Sequence, residues 1–131
     1  MIFVDTGAWF ALLVPNDRDH AAAARWLGLN REPLITTDYV LDETLTLLKV
    51  RAETKRALDW GARMLAGELA GIERVAWNDF GQAWEMFCRF RDKGWSFTDC
   101  TSFVVMARLG VDAAFSFDEH FRQYGKIRGV P

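Results

Sequence analysis

A chain of 131 residues, half hydrophobic and 14% aromatic, carries enough apolar material for one core, is too short for two domains, and is not disordered. A formal net charge of -2 at pH 7 and a pI of about 5.7 exclude a surface that coats nucleic acid with positive charge, but leave room for a local basic patch. Two cysteines, Cys88 and Cys100, and two histidines, His20 and His120, assemble no tetrahedral zinc site, and the cysteines fit reduced thiols of a cytoplasmic protein.

Ile2 to Val4 is a short continuous apolar run, the signature of a buried parallel strand. It leads straight into Asp5-Thr6-Gly7-Ala8, where Gly7 is expected to let the chain turn tightly into a helix. No basic leader or ~18-residue apolar span accompanies this run, so neither a signal peptide nor a membrane segment is expected. Trp9 to Val14 stops at Pro15-Asn16-Asp17, and an alanine-rich helix follows from about Arg18 to Leu29, with Asp17 or Asp19 placed to cap it.

Leu34 to Thr36 is a second strand, and Thr37 or Asp38 caps a helix from about Tyr39 to Arg51. A further helix is expected over Thr54 to Ala70, then a third strand over Ile72 to Trp77 and a helix from Asn78 to Phe90 or Arg91. The stretch WSFTDCTSFVVMARLG reads as a helix with a Ser96/Thr98 capping region and a stop at Gly110. Ala113 to Phe117 is a fourth strand ending in Asp118, and the tail to Pro131 reads as short helix and loop. Short apolar strands alternating with amphipathic helices predict one α/β domain over residues 1–131, with a parallel sheet covered on both faces.

Four acids occupy unusual places in this pattern. On a helix wound at ~100° per residue, Asp42 joins Asp38, Thr46 and Lys49 on a polar stripe. Its neighbour Glu43 lands between Tyr39 and Leu47 in an apolar arc, where a carboxylate needs a partner. Asp99 projects between Phe103 and Met106 on an otherwise apolar face, although an acid in a first turn also serves as a cap. Asp5 and Asp118 each follow a strand, and ligands of open parallel sheets bind beyond the carboxyl ends of strands. Asp5 and Asp118 also suit turn or cap residues, and Glu43 a rim position or a salt bridge to an arginine.

Four carboxylates converging on one cleft would need a cation. With few histidines and cysteines the fitting ion is Mg²⁺ or Mn²⁺, a hard ion that takes oxygen ligands, polarises a phosphate oxygen and activates water for in-line attack. Thr6 and Thr98, each beside one of these acids, are placed to hydrogen-bond a carboxylate or a water.

Four stretches, IFVDTGAWFALL, ITTDYVLDETLTLL, FTDCTSFVVMARLG and AAFSFDEHF, resemble in order and spacing the PIN-domain nucleases, and among them the VapC-like toxins of toxin–antitoxin pairs. The resemblance implies a three-layer α/β/α sandwich with a short-stranded parallel sheet, and Mg²⁺- or Mn²⁺-dependent hydrolysis of RNA. It matches Asp5, Glu43, Asp99 and Asp118 to the family's metal-binding catalytic acids, and Thr6 and Thr98 to its supporting hydroxyls. A homodimer and a small antitoxin covering the active-site groove are implied as well.

Candidate phosphate contacts are the basic runs Lys49/Arg51, Lys55/Arg56, Arg89/Arg91/Lys93 and Arg122/Lys126/Arg128. Trp9, Trp95 and Phe97 flank the acids and suit either base stacking or core packing. Apolar helix faces around Trp26, Leu48 and Trp60 offer a dimer or antitoxin surface. Other functions fit less well. An aspartic protease needs two Asp-Thr/Ser-Gly loops on a β fold. An aspartyl-phosphate phosphotransferase wants a second acid where Gly7 stands, and a non-catalytic binding module has no use for four such acids. A free-standing RNA-processing nuclease is the alternative closest to a toxin.

Overall fold

The computed structural model describes residues 1–131. In chain order the elements are β1 (Ile2–Val4), α1 (Thr6–Leu13), α2 (His20–Leu29), β2 (Leu34–Thr37), α3 (Asp38–Val50), α4 (Thr54–Leu65), β3 (Gly71–Glu73), α5 (Trp77–Arg89), α6 (Phe97–Leu109), β4 (Ala113–Phe115), α7 (Glu119–Tyr124) and β5 (Arg128–Val130). The five strands form one sheet in the order β3-β2-β1-β4-β5, every pair parallel. All three residues of β1 and of β4 are buried. Side chains of a strand alternate between faces, so complete burial means that helices cover the sheet on both sides. The three-layer arrangement is the expected one.

Local chemistry sets most helix ends. The Thr37 hydroxyl accepts from the Val40 N–H at 3.1 Å to start α3. Ser96 and Asp99 form a reciprocal capping box on α6, each accepting from the other's backbone N–H at 3.0 Å. Gly110, at φ 70°, ends that helix in the left-handed conformation that glycine adopts without a Cβ penalty.

Several boundaries differ from the sequence-based expectation, among them the fourth strand, which ends at Phe115 rather than Phe117. The helix expected to reach Ala70 ends at Leu65, because Gly67 turns left-handed and Glu68 N–H bonds back to the Arg63 carbonyl. The third strand stops at Glu73 rather than Trp77. Asp38 Oδ1 takes the Val75 N–H at 2.8 Å, which draws the chain off the ladder and into α5. The tail holds a fifth strand, β5, at the edge beside β4. Asp19, expected as a cap, makes no side-chain cap bond to α2.

Of the two roles expected for the flanking tryptophans, core packing is the one taken. Trp9 packs on Trp60 with ring centroids 5.3 Å apart, and Trp95 donates its indole N–H to Gln123; both are core residues, closed to RNA bases. The expected docking face is corrected: Leu48 and Trp60 are fully buried and the half-buried Trp26 packs tilted against Phe115, so that group forms no continuous surface. The exposed aromatics belong to α5: Trp77, Trp84 and Phe87. No helix is long and apolar enough to cross a membrane, and both cysteines are unpaired.

Candidate active site

The strand order reverses direction between β1 and β4: β2 and β3 lie to one side of β1, β4 and β5 to the other. Beyond the carboxyl ends of strands at such a switch point, the outgoing loops separate and leave a crevice. Here Asp5 directly follows β1, and the chain leaving β4 passes through Ser116 to Asp118. A cavity of about 120 Å³ lies at this point, lined by Asp5, Thr6, Gly7, Val40, Glu43, Thr98, Asp99, Ser102, Asp118 and Phe121. All four acids singled out in the sequence, and both threonines, therefore face one space.

Helix starts hold three of the acids. Asp5 is the N-cap of α1, its Oδ1 accepting from the Ala8 N–H at 2.9 Å. Asp118 is the N-cap of α7, its Oδ1 accepting from the His120 N–H at 3.0 Å. Asp99 sits in the first turn of α6, held by the Ser96 N–H. Capping and facing the cavity are thus compatible for these residues, because helix N-termini point their free N–H groups, and the acids that satisfy them, at the same crevice. Of the places open to Glu43 the structure takes the rim: it is half-buried at the cavity wall and makes no hydrogen bond or ion pair with the protein, so burial beside a protein partner does not describe it. Asp42, one residue earlier, is exposed as expected.

Two residues escaped the sequence reading. Ser116 donates its hydroxyl to Asp5 Oδ2 at 2.6 Å and accepts from the Asp118 N–H at 3.0 Å, tying the ends of β1 and β4 together. The two-residue period of an extended chain, which places Ser116 on the side of Asp118, was the available signal. His120 lies with Nδ1 3.0 Å from Asp99 Oδ2 and 3.2 Å from Asp118 Oδ2. The group whose ligand atoms all fall within 4.8 Å of one another is Asp99, Asp118 and His120. Asp5 and Glu43 line the cavity outside that group.

Electrostatics separates this cavity from the chain's other buried acid. Burial pushes the Asp5 carboxyl up to about 7; the Ser116 and Ala8 hydrogen bonds oppose the rise, and the negative charges of Asp118 and Asp99 add to it. Burial also raises Asp99, against the Ser96 and His120 contacts that stabilise its charge. Asp79, only 1% exposed, shifts the opposite way, because Arg108 donates two hydrogen bonds to it, at 2.9 and 2.8 Å, while reaching Glu73 at 3.0 Å. Asp5 lies deep in the protein with no cation beside it, whereas Asp79 is covered mainly by the Arg108 guanidinium that pairs with it.

A divalent cation fits what the cavity provides: carboxylate oxygens in excess, no Lys or Arg among the lining residues, and a Thr6 hydroxyl that is buried without a hydrogen-bond partner.

Residues 2–127 match the family model of the PIN domain. The chain belongs to the PIN-domain family. PIN nucleases generally use divalent metal, as the donor set here suggests. Along all 131 residues the chain is 36% identical to the 23S rRNA-specific endonuclease VapC20 of Mycobacterium tuberculosis, in strains H37Rv and CDC 1551, and covers 99% of that protein. The crystal structure of M. tuberculosis VapC20, described as a sarcin–ricin loop cleaving toxin, superposes with a TM-score of 0.92 at 34% identity over the whole of both chains. FitAcB from Neisseria gonorrhoeae superposes at 0.67 with 13% identity, covering all of this chain and 97% of that one, which is a likeness of fold. The resemblance to VapC-like toxins read from the four motifs holds over the full chain.

Proposed function

We propose that this PIN-domain protein is a toxin endoribonuclease that uses Mg²⁺ or Mn²⁺ to cleave the sarcin–ricin loop of 23S rRNA. The observation that carries the reading is the single acid-lined cavity at the switch point of the sheet; the full-length relationship to a 23S rRNA-specific endonuclease supplies the substrate class. Residues 1–131 act as one nuclease unit, in the cytoplasm, where ribosomes and reduced thiols are found.

Asp5, Glu43, Asp99 and Asp118 are the candidate metal ligands and catalytic acids. When bound, a divalent ion supplies Lewis acidity toward a phosphoryl oxygen and a water activated for in-line displacement. The protein's own part is placement. Ser116 orients Asp5, the α6 capping box orients Asp99, and Thr6 and Thr98, both lining the cavity, offer hydroxyls to its waters. Arg91 and Lys93, exposed on the loop that abuts His120 through Gly94, are the basic residues best situated for flanking phosphates.

The test is cleavage of a sarcin–ricin loop oligonucleotide and of intact ribosomes, in Mn²⁺, in Mg²⁺ and in chelator. Expected is a single metal-dependent cut within the loop. Equal cleavage in chelator removes the mechanism; an uncut loop beside other cleaved RNA removes the substrate. A small antitoxin covering the cavity completes the toxin reading, and the check is a neighbouring small reading frame whose product suppresses cleavage.

We further propose that two copies associate through α5. Trp77 is 83% and Trp84 55% exposed, a large apolar area for a free surface. Trp77 stacks on Phe80 with centroids 5.0 Å apart, and Trp84 lies 6.2 Å from Phe87. Between the two tryptophans, Gly81 leaves a notch in which an added Cβ would meet nothing within 4 Å. An isologous pairing of antiparallel α5 helices centred there sets Trp77 of one copy against Trp84 of the other, so the face is complementary to itself. Trp84→Glu is expected to convert a dimer into a monomer by light scattering. A wild type that is monomeric at every concentration excludes the pairing.

A further inference from the structure

The metal-dependent reading of the cavity rests on carboxylates, yet the tightest group of ligand atoms there includes a nitrogen. We propose that His120, with Asp99 and Asp118, is a ligand of the bound ion, and that the site therefore takes a first-row transition ion such as Mn²⁺ in preference to Mg²⁺. The inference builds on the metal-dependent function above and goes further, because the family resemblance assigned only the acids.

Geometry is the first support. Two ligands at adjacent corners of an octahedron with bonds of about 2.1 Å lie about 3.0 Å apart. The distances from His120 Nδ1 to the two carboxylate oxygens are 3.0 and 3.2 Å, and all three ligand atoms lie within 4.8 Å of one another, close enough to share one ion. Placement of the ring is the second. Its helix start is fixed by the Asp118 cap, and its far edge meets the backbone of the loop before α6: a Cβ on Gly94 would stand 3.3 Å from Nε2 and 3.9 Å from Cε1. The side chain is 24% exposed, and its Nδ1 turns to Asp99 and Asp118, which line the cavity.

Thr6 is the third support. It is 8% exposed and lines the same cavity, and its hydroxyl has no partner in the protein. An unpaired buried hydroxyl lining that cavity is satisfied by an occupant with polar atoms, such as an ion with its waters. Imidazole nitrogen then sets the choice of ion. Mg²⁺ favours oxygen and sheds water reluctantly, whereas first-row transition ions bind nitrogen with affinity rising along the series.

The competing role is that of a positioning residue, with the imidazole N–H merely donating a hydrogen bond to Asp99. Electron spin echo envelope modulation on the wild-type protein loaded with Mn²⁺ alone distinguishes the two. A directly bound imidazole gives ¹⁴N coupling, which is expected in the wild type and absent in His120→Gln. The same substitution is expected to weaken Mn²⁺ binding at least about tenfold, the scale already seen when groups one shell further out are removed. Mg²⁺ binding, read by competition, changes by less than about threefold. Mn²⁺ that binds the wild type without nitrogen coupling overturns the role of His120 and leaves an acid-held ion in place. A wild type that binds no divalent ion overturns the metal-dependent function itself. Since the wild-type spectrum decides between them, the outcome does not depend on how well the variant folds.

Discussion

Asp99→Asn is expected to lower kcat/KM for RNA cleavage by about a thousandfold while the protein stays folded. Asparagine keeps the shape of the side chain and can still accept the Ser96 N–H, which Asp99 holds at 3.0 Å. What it loses is the charge, and with it a ligand in the group formed by Asp99, Asp118 and His120. A bound divalent ion supplies several kcal/mol of transition-state charge stabilisation, and a loss of about 4 kcal/mol is a factor of about a thousand in rate. The measurement is cleavage of the loop oligonucleotide at saturating Mn²⁺, with thermal melting of the same preparation. Ser96→Ala provides the comparison. It removes the other half of the capping box and costs about 1 kcal/mol of stability, so a loss of activity caused by fraying of α6 would appear there too. Activity of Asp99→Asn within tenfold of wild type removes Asp99 from the mechanism.

The second large effect concerns stability in the absence of metal. The Asp5 carboxyl rises from 3.8 to about 7 on folding, mainly through burial. Between these values the folded state holds a proton that the unfolded state has released. The contribution of Asp5 is therefore fully present below pH 3.8 and is lost as the pH rises through about 7. A shift of this size corresponds to about 4 kcal/mol, an order-of-magnitude figure for a group 7% exposed. Asp79 runs the other way, since Arg108 lowers it, and its contribution fades in acid. The difference between wild type and Asp5→Asn isolates the Asp5 part. Without metal, the variant is expected to become the more stable protein as the pH climbs from 4 to 7.5. Adding Mn²⁺ should reverse the order, because the ion binds the ionised acid and stabilises the folded state by mass action. Chemical denaturation across that range, with and without Mn²⁺, provides the check; parallel curves for the two proteins exclude the linkage.

Both predictions concern acids that the sequence already made conspicuous. Asp5 and Asp118 stood at the ends of apolar runs, and Glu43 and Asp99 fell in apolar arcs of helices. Such signals are local: a strand end, a cap and a helical phase each depend on a few neighbouring residues. Side-chain direction at a helix start is less local. Asp99 was assigned to the face between Phe103 and Met106, but its carboxylate turns back to Ser96 and across to His120.

The residues missed in the sequence were those whose partners lie far along the chain. Ser116 bonds to Asp5 across 111 positions, and His120 meets Asp99 across 21. No periodicity connects such pairs; the parallel pairing of β1 with β4 and the packing of α7 beside α6 create them. Hydrophobicity likewise identified aromatic residues without saying which way they face. Leu48 and Trp60, read as part of an apolar docking face, are core, whereas Trp77, placed at the end of a strand, opens α5 and stands in solvent. Orientation about a helix axis becomes absolute only when the neighbouring layers are in place.

By itself, then, the order of apolar runs, caps and acids determined an α/β domain with three carboxylates at helix starts and a fourth, Glu43, on an apolar helix arc, because each of those choices is made within a turn or two of chain. The sheet order β3-β2-β1-β4-β5 decided that the four face one cavity. It also brought Ser116 and His120 to it, added β5 at the edge, and turned the aromatic side of α5 outward. Contacts between residues distant in sequence are fixed by how layers pack, and that information exists only once the chain has folded.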